Sequence, residues 1–403
     1  MLKRSFSIAL LTASLGTLSA AEKPITASIQ GHVFKPVQLK PSRERVSKLK
    51  APAGFKMEIF AENLEKPRMM AVAPNGDLYV TRRGEEGDVL LLRDEDKDGK
   101  AEPPKTVAKI PHVHGIALHE GSLYLAAVRK LYVAGIKPDG MLEAPKELYG
   151  DLPDAGQHPN RTLAFSPGGE LFLSVGSTCN DAPEPNPENA TMLIVKTDGS
   201  GRSIFASGLR NTIGFDWQPG TGELYGMDHG IDWLGDDTQR EELNHLTAGS
   251  KYGWPFVFED GKRNPARDPK ETTGMTWEEY AKTCRAPVLT ATAHSAPMAL
   301  LFYTSSQFPE EYRGDAFVTF HGSWNRGEPS GYKVARLQFK DGKPAEFEDF
   351  LTGFYLPKEK SQFGRPCGLA LARDGSLLLS DDGGGVIYRI SWAGDRPAKA
   401  AAR

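Results

Sequence analysis

The feature that most limits what this chain can fold into is a phrase that it keeps repeating: an apolar run, a turn of Pro, Gly, Asp or Asn, then a short alternating strand. It occurs at residues 71–81 (AVAPNGDLYVT), 116–126 (IALHEGSLYLA), 163–175 (LAFSPGGELFLSV), 215–227 (FDWQPGTGELYGM) and 369–380 (LALARDGSLLLS). A degenerate copy lies at residues 308–321 (FPEEYRGDAFVTFH). Gly76, Gly121 and Gly169 mark turns 45 and 48 residues apart, close to the length of one four-stranded propeller blade. The turn glycines supply the positive φ that tight hairpins require, and alternation of the L-Y-V-T kind turns one face inward. A second strand candidate follows most copies, at residues 88–93, 130–136, 192–196, 332–339 and 386–392. The pattern predicts an all-β chain, a six-bladed β-propeller, with residues 55–63 (FKMEIFAEN) as a further strand that completes the last blade. No ten-residue helical periodicity alternates with these strands, which argues against an α/β sheet. A pair of β-sandwiches would not produce the period.

Length alone, 403 residues, would suggest two or three domains, but repeat folds break that expectation because each unit buries its apolar face on its neighbours. The sequence divides into a signal peptide (1–21), an extended Lys/Pro/Ser-rich lead-in (22–52), one propeller domain (53–393) and a tail (394–403). Lys3 and Arg4 precede an apolar stretch over residues 6–18 and the small residues Ser19, Ala20 and Ala21, the order of a secretory signal. About a dozen apolar residues are too few to span a bilayer, so the expected location is periplasmic or secreted, and no later segment predicts a membrane span. With 49 basic and 52 acidic residues and a net charge of −3, nothing points to nucleic acid or an anionic membrane as partner. Cys179, Cys284 and Cys367 permit one disulfide or three free thiols. The repeat spacing stretches between Gly222 and Gly314, and the long loop at residues 228–287 inside that interval is the place to look for function.

In a propeller, loops from several blades converge on the central channel, so residues that act together should lie near repeat edges. Five segments stand out: 156–161 (GQHPNR), 208–211 (GLRN), 235–244 (GDDTQREELN) running into 251–255 (KYGWP), 321–326 (HGSWNR) and 364–368 (GRPCG). Taken in this order over roughly residues 55–392, they resemble the glucose/sorbosone dehydrogenase family, soluble propeller enzymes that use pyrroloquinoline quinone (PQQ). The likeness is greatest to the sorbosone-dehydrogenase-like branch, where H-G-S-W-N-R and a closing S-D-D-G-G are familiar. PQQ is a planar ortho-quinone with three carboxylates, which calls for fork-shaped cationic donors. The resemblance implies cofactor contacts from Arg210, Asn211 and Arg365, with His321 and Arg326 in a further basic segment. It implies His158 as the general base that removes a hydroxyl proton, a role suited to an imidazole titrating near pH 6.5. It also implies calcium twice: at the backbone of Gly235 and Asp236 beside the cofactor, and at a structural site formed by Glu242 and the backbone of Tyr252.

Two features depart from the family. The paired cysteine of the G-S-x-C-N segment is absent, Cys179 being followed by Asp181 and Ala182, and Cys367 stands where some relatives place a second cofactor arginine. Separately, Asp94, Asp96, Asp98 and Gly99 spell the start of a calcium loop, but Lys105 occupies the twelfth position and the segment reads as an acidic surface turn.

The expected function is a PQQ- and calcium-dependent oxidoreductase acting on a sugar hydroxyl or hydrated aldehyde. Its partners would be that small molecule and an external electron acceptor, a separate cytochrome or quinone, because no C-x-x-C-H haem site is present. A calcium-dependent lactonase on the same fold and an inactive binding propeller are the competing readings; only the quinone enzyme needs several arginines for a polyanion.

Overall fold

A computed structural model describes residues 29–154 and 156–394. The signal peptide and nearly all of the tail lie outside the described residues. The remaining chain is built almost wholly from strands. Six mainly antiparallel sheets follow one another along the sequence, each in up-and-down order; short strands intervene before the last strand of the fourth, and the sixth takes one strand from the other end of the chain.

The first comprises Pro67–Val72, Leu78–Arg82, Asp88–Leu92 and Lys105–Lys109; the second Gly115–His119, Ser122–Ala126, Leu131–Gly135 and Lys146–Tyr149. The third comprises Leu163–Phe165, Leu171–Val175, Thr191–Val195 and Arg202–Ser207, with Ser250–Lys251 added in parallel at its edge. The fourth contains Gly214–Trp217, Leu224–Asp228, Glu241–Leu246 and Leu289–Ala291; the fifth Pro297–Phe302, Ala316–Phe320, Lys333–Lys340 and Lys343–Leu351. The sixth joins Pro366–Leu371, Leu377–Asp381 and Val386–Trp392 to Phe55–Ala61 from the other end of the chain. That closing strand pairs from Phe55 opposite Trp392 to Ala61 opposite Ile387, as the sequence predicts.

Each sheet buries both of its faces. In the first, Leu78 and Val80 pack with Ala370, Leu378 and Ile387 of the sixth sheet, while Tyr79 between them turns the other way, toward Ile116, Leu123 and Leu125 of the second. Further apolar clusters join the second sheet to the third, the third to the fourth, the fourth to the fifth and the fifth to the sixth. A residue such as Leu90 or Leu379, once removed from water, contributes about 1.5–3 kcal/mol, so these interfaces supply the driving force and the turns supply the register. Where the second face also needs a polar anchor the sequence provides one: the buried Tyr79 hydroxyl donates to the Gly140 carbonyl at 2.8 Å.

Two expectations require correction. Residues 308–321 are not a strand-turn-strand unit. Ala316–Phe320 pairs with Pro297–Phe302 upstream, while Glu310–Tyr312 is a 3-10 turn whose Tyr312 packs edge-on against Phe55 and Phe308. The segment 228–287 is not all loop either: Glu241–Leu246 is the third strand of the fourth sheet, and short helices cover Lys270–Thr273 and Trp277–Lys282. All three cysteines are free.

The lead-in is more than an extended tail. Val37–Gln38 pairs in parallel with Ser361–Gln362, and a helical turn over Arg43–Val46 places Val46 against the core cluster of the fifth and sixth sheets.

Candidate active site

In sheets of this topology the start of the first strand and the end of the second lie at the same end. The polar residues that the core excludes collect there: Arg68 and Arg83 on the first sheet, His114 on the second, His158 and Ser177 on the third. Arg210, Asn211 and Asp228 follow on the fourth, His321 on the fifth, and Arg365, Asp381 and Asp382 on the sixth.

His158 is the residue whose chemistry is most tightly specified. Its Nδ1 lies 2.9 Å from the Ser177 carbonyl oxygen and 2.9 Å from Ser177 Oγ. A carbonyl can only accept, and the Ser177 hydroxyl is already donating to the Cys179 carbonyl at 2.6 Å. Nδ1 therefore carries the proton, and Nε2 keeps its lone pair with no hydrogen bond among the described residues. Burial, with the nearby positive charge of Arg210 and the neighbouring His229, pulls its pKa down to about 2, so the ring is neutral at every ordinary pH. The role of base is consistent with this geometry; a titration near pH 6.5 is not. Gly176 lets His158 and Asn211 approach each other, since a Cβ there would lie 2.6 Å from His158 Cβ and 2.9 Å from Asn211 Oδ1.

Arg210 is almost fully buried. Its Nε donates to the Asn180 carbonyl at 3.0 Å, and Nη2 donates to Asn180 Oδ1 at 2.8 Å and to Asp232 at 2.9 Å. Nη1 meets no acceptor among the described residues. Asp228 fixes the turn beneath it, one oxygen accepting from the Arg210 N–H at 2.8 Å and the other from the Asn211 N–H at 2.7 Å. His229, next in sequence, lies within electrostatic reach of Arg210, Asp232 and His321. Burial, only partly countered by its bond to the Pro297 carbonyl, lowers its pKa to about 4.

The second half is a connected polar chain. Arg68 donates to Asp382 and, through Nη2, to His114 Nε2 at 3.2 Å, while His114 Nδ1 donates to the Arg161 carbonyl at 3.1 Å. His321 Nε2 lies 2.6 Å from the other oxygen of Asp382. Burial works to raise the Asp382 pKa, but its basic neighbours outweigh it and hold the carboxylate ionised. Arg68 is the permanent counter-charge: burial lowers the His321 pKa to about 4, so at neutral pH that ring is an uncharged donor. Arg365 donates from Nε to the His321 carbonyl at 3.2 Å and from Nη2 to the Gly322 carbonyl at 3.0 Å, leaving Nη1 for a ligand.

These residues wall a hollow of about 630 Å³ in which Lys66, Arg68, Arg83 and Arg365 outnumber the acidic Asp382 and Glu85. Arg68 Nε is buried without an acceptor among the described residues. Arg83 makes no hydrogen bond among the described residues, and burial together with Arg68 lowers its pKa. Cations crowded together with unused donors are the setting that an anionic ligand relieves.

Other sequence expectations fare differently. Arg326 is spent inside the protein, donating to the carbonyls of Glu328, Asp236 and Ala293 and to Asp237. Four of its donor positions are thus used on the surrounding loops, and it does not line the cationic hollow.

Gly235 and Asp236 already accept hydrogen bonds from the protein. The Gly235 carbonyl accepts from His294 Nε2 at 2.7 Å, the Asp236 carbonyl from Arg326, and the Asp236 carboxylate from the His32 ring at 2.8 Å and the Gly327 N–H at 2.8 Å. On the same loop, and adjacent to His229, the carbonyls of Gly230 and Ile231 meet no donor among the described residues.

Glu242 fits a structural ion better. It is buried and bonded to the Glu259 N–H at 2.6 Å, with burial pushing its pKa up to about 8, and the Tyr252 carbonyl close by in sequence accepts no hydrogen bond among the described residues. Asp94, Asp96 and Asp98 do cluster, but their oxygens cap their own turn, accepting from Gly99, Asp98 and Lys100. The acidic-turn reading agrees with that arrangement.

Sequence reasoning missed Arg68, Arg83, Asp228, His229 and Asp382. A signal was present, because Arg68 opens a first strand as its second residue and the others lie at or just after the end of a second strand.

Comparison with known proteins places this geometry in context. The TrAA12-like family model matches residues 49–393. An uncharacterized protein of Borreliella burgdorferi is 31% identical over 369 residues, covering 87% of this chain and 92% of that protein. Among solved structures, a calcium structure of the Trichoderma reesei carbohydrate-active enzyme of family AA12 superposes with a TM-score of 0.72 at 21% identity, over 85% of this chain and 97% of the other. The holo form of the pyranose dehydrogenase PQQ domain from Coprinopsis cinerea gives 0.73 at 20% identity, over 89% and 100%. The apo soluble aldose sugar dehydrogenase of Escherichia coli gives 0.63 at 16% identity, over 84% and 99%.

Proposed function

The chain belongs to the TrAA12-like family, and from that premise we propose that it is a sugar oxidoreductase: a six-bladed propeller that binds PQQ and calcium and oxidises a sugar hydroxyl or hydrated aldehyde, of the aldose or sorbosone type. The observation that carries this reading is the cationic hollow, where Arg68, Arg83 and Arg365 hold donors that meet no acceptor among the described residues. A lactonase needs only a metal and a base and leaves three such arginines unexplained. The six sheet-to-sheet clusters support the blade count. The structures that the chain resembles include a PQQ domain and a calcium-bound enzyme, which supports the choice of cofactors.

When bound, PQQ would supply an ortho-quinone able to accept one hydride, that is two electrons with one proton, from the substrate carbon. Arg68, Arg83 and Arg365 would hold its carboxylates on one side and Arg210 Nη1 on the other. His158 Nε2 takes the hydroxyl proton, and its Nδ1–H bond to Ser177 stabilises the imidazolium that forms. Asp382 holds His321 and Arg68 in place, and burial keeps the rings of His114, His229 and His321 neutral, so their hydrogen bonds add no charge. Calcium would be held by carbonyls such as those of Gly230 and Ile231, and a structural ion by Glu242. We place the mature protein in the periplasm or outside the cell, passing electrons to a separate acceptor.

Titration of the purified protein with PQQ and calcium tests the cofactor assignment directly. A bound-quinone spectrum followed by sugar-dependent dye reduction is the expected outcome. Ester cleavage without dye reduction would move the assignment to a lactonase.

A further inference from the structure

We propose that Trp233 is a stacking platform for a saccharide ring at the mouth of this site, held upright by Trp324. The inference rests on the reading of the substrate as a sugar and adds how the ring is held. Trp233 is 51% exposed, the only aromatic among the strongly exposed large apolar side chains of the described residues. An indole half in water forgoes much of the burial that stabilises its fellows, so its position needs a reason.

The side chain is not loose. The ring of Trp324 meets it edge to face, with centroids 5.1 Å apart at 81°. Trp324 is braced in turn: its carbonyl accepts the Phe34 N–H at 3.0 Å, and Lys35 Nζ sits 5.4 Å over its ring. The backbones are tied beside both rings, since Asn325 Nδ2 donates to the Asp232 carbonyl at 2.8 Å and the Asp232 N–H donates to Asn180 at 2.9 Å.

Location supplies the second argument. Asp232, which precedes Trp233, bonds Arg210 at 2.9 Å and Gln157 at 2.9 Å, and Gln157 precedes His158. Trp324 follows His321 by three residues and lines a hollow of about 460 Å³ that Arg365 and Gln38 share with the cationic one. The backbone carrying Trp233 is thus tied to Arg210 and to the residue before His158, while Trp324 borders a hollow that Arg365 lines. A pyranose offers one face of C–H bonds and a rim of hydroxyls; a rigid indole face matches the first and leaves the second to water and polar neighbours. A platform fixed before binding loses little entropy when the ring arrives.

The test uses the full chain without added cofactor, titrated calorimetrically with glucose and with cellobiose, alongside Trp233→Ala and Trp233→Phe. Cellobiose binding should weaken about tenfold in Trp233→Ala, about 1.4 kcal/mol, and recover in part in Trp233→Phe, with thermal stability and PQQ affinity unchanged. In the PQQ-loaded enzyme the loss should fall on KM rather than on turnover at saturating sugar. Equal affinity in wild type and Trp233→Ala, or no binding of either saccharide to wild type at high millimolar concentration, overturns the platform. The two readings fail separately. Trp233-dependent cellobiose binding with no oxidation of any sugar sinks the proposed function and keeps the platform. Sugar oxidation whose KM ignores Trp233→Ala does the reverse.

Discussion

His158 donates its Nδ1–H to the Ser177 carbonyl oxygen at 2.9 Å, and that bond decides which ring nitrogen can accept a proton. Because burial and Arg210 lower the His158 pKa to about 2, the free enzyme should show no His158 limb near pH 6.5. A kcat/KM profile that is flat through that region checks this. An inflection near 6.5 that disappears in His158→Gln would mean that the ring titrates normally.

Arg68 joins Asp382 to His114 at the core of the site, so its removal should cost stability as well as affinity. Arg68→Ala leaves a buried carboxylate without its permanent counter-charge and should lower stability by about 3–5 kcal/mol. Denaturant midpoints measure it; a loss within experimental scatter would show that His321 alone suffices.

Arg210→Ala and Arg365→Ala should each weaken PQQ binding, by about 2–5 kcal/mol where a buried carboxylate loses its partner. Arg326→Ala should not, because Arg326 is tied to the carbonyls of Asp236, Ala293 and Glu328. Quinone titration of the three variants ranks them. A large effect from Arg326 and none from the other two would reverse the assignment.

Stability should peak in mildly acidic solution. His158, His229 and His321 have folded pKa values of about 2, 4 and 4, below the ordinary 6.5, so their contribution is complete above 6.5 and is lost as pH falls. Glu241, Glu242 and Asp381 are raised to about 7, 8 and 7, chiefly by burial, so theirs is complete below the usual carboxylate range and is lost as pH rises through 7 to 8. Tm measured across pH should fall on both sides, and Glu242→Gln should soften the alkaline fall in calcium-free buffer. A Tm indifferent to pH from strong acid to mild alkali would contradict these assignments.

The strands were legible in the sequence wherever both partners of a hairpin carried the repeat, as at Leu78–Arg82 and Leu377–Asp381. Residues 308–321 misled because Phe308 and Tyr312 are apolar for a different reason, filling the core between the fifth and sixth sheets from a turn. Among the expected site residues, His158, Asn211, Arg210, His321 and Arg365 do lie at the end where the loops converge. Arg68 and Asp382 escaped notice because their meaning lies in their mutual contact, made across 314 residues of sequence. The hydrogen bonds at Gly235 and Asp236 were illegible for a plainer reason: a backbone carbonyl has no residue signature, and only the structure shows that His294 and Arg326 donate to those two.

The central claim, sugar oxidation by a bound quinone with His158 as base, is tested most directly by mixing PQQ- and calcium-loaded protein with an excess of sugar and following the quinone absorbance. Wild type should lose it rapidly, whereas His158→Ala should bind the quinone equally well and reduce it about 10²–10⁴-fold more slowly. Wild-type protein that binds no quinone, or a His158→Ala variant that reduces it at the parental rate, would contradict the account.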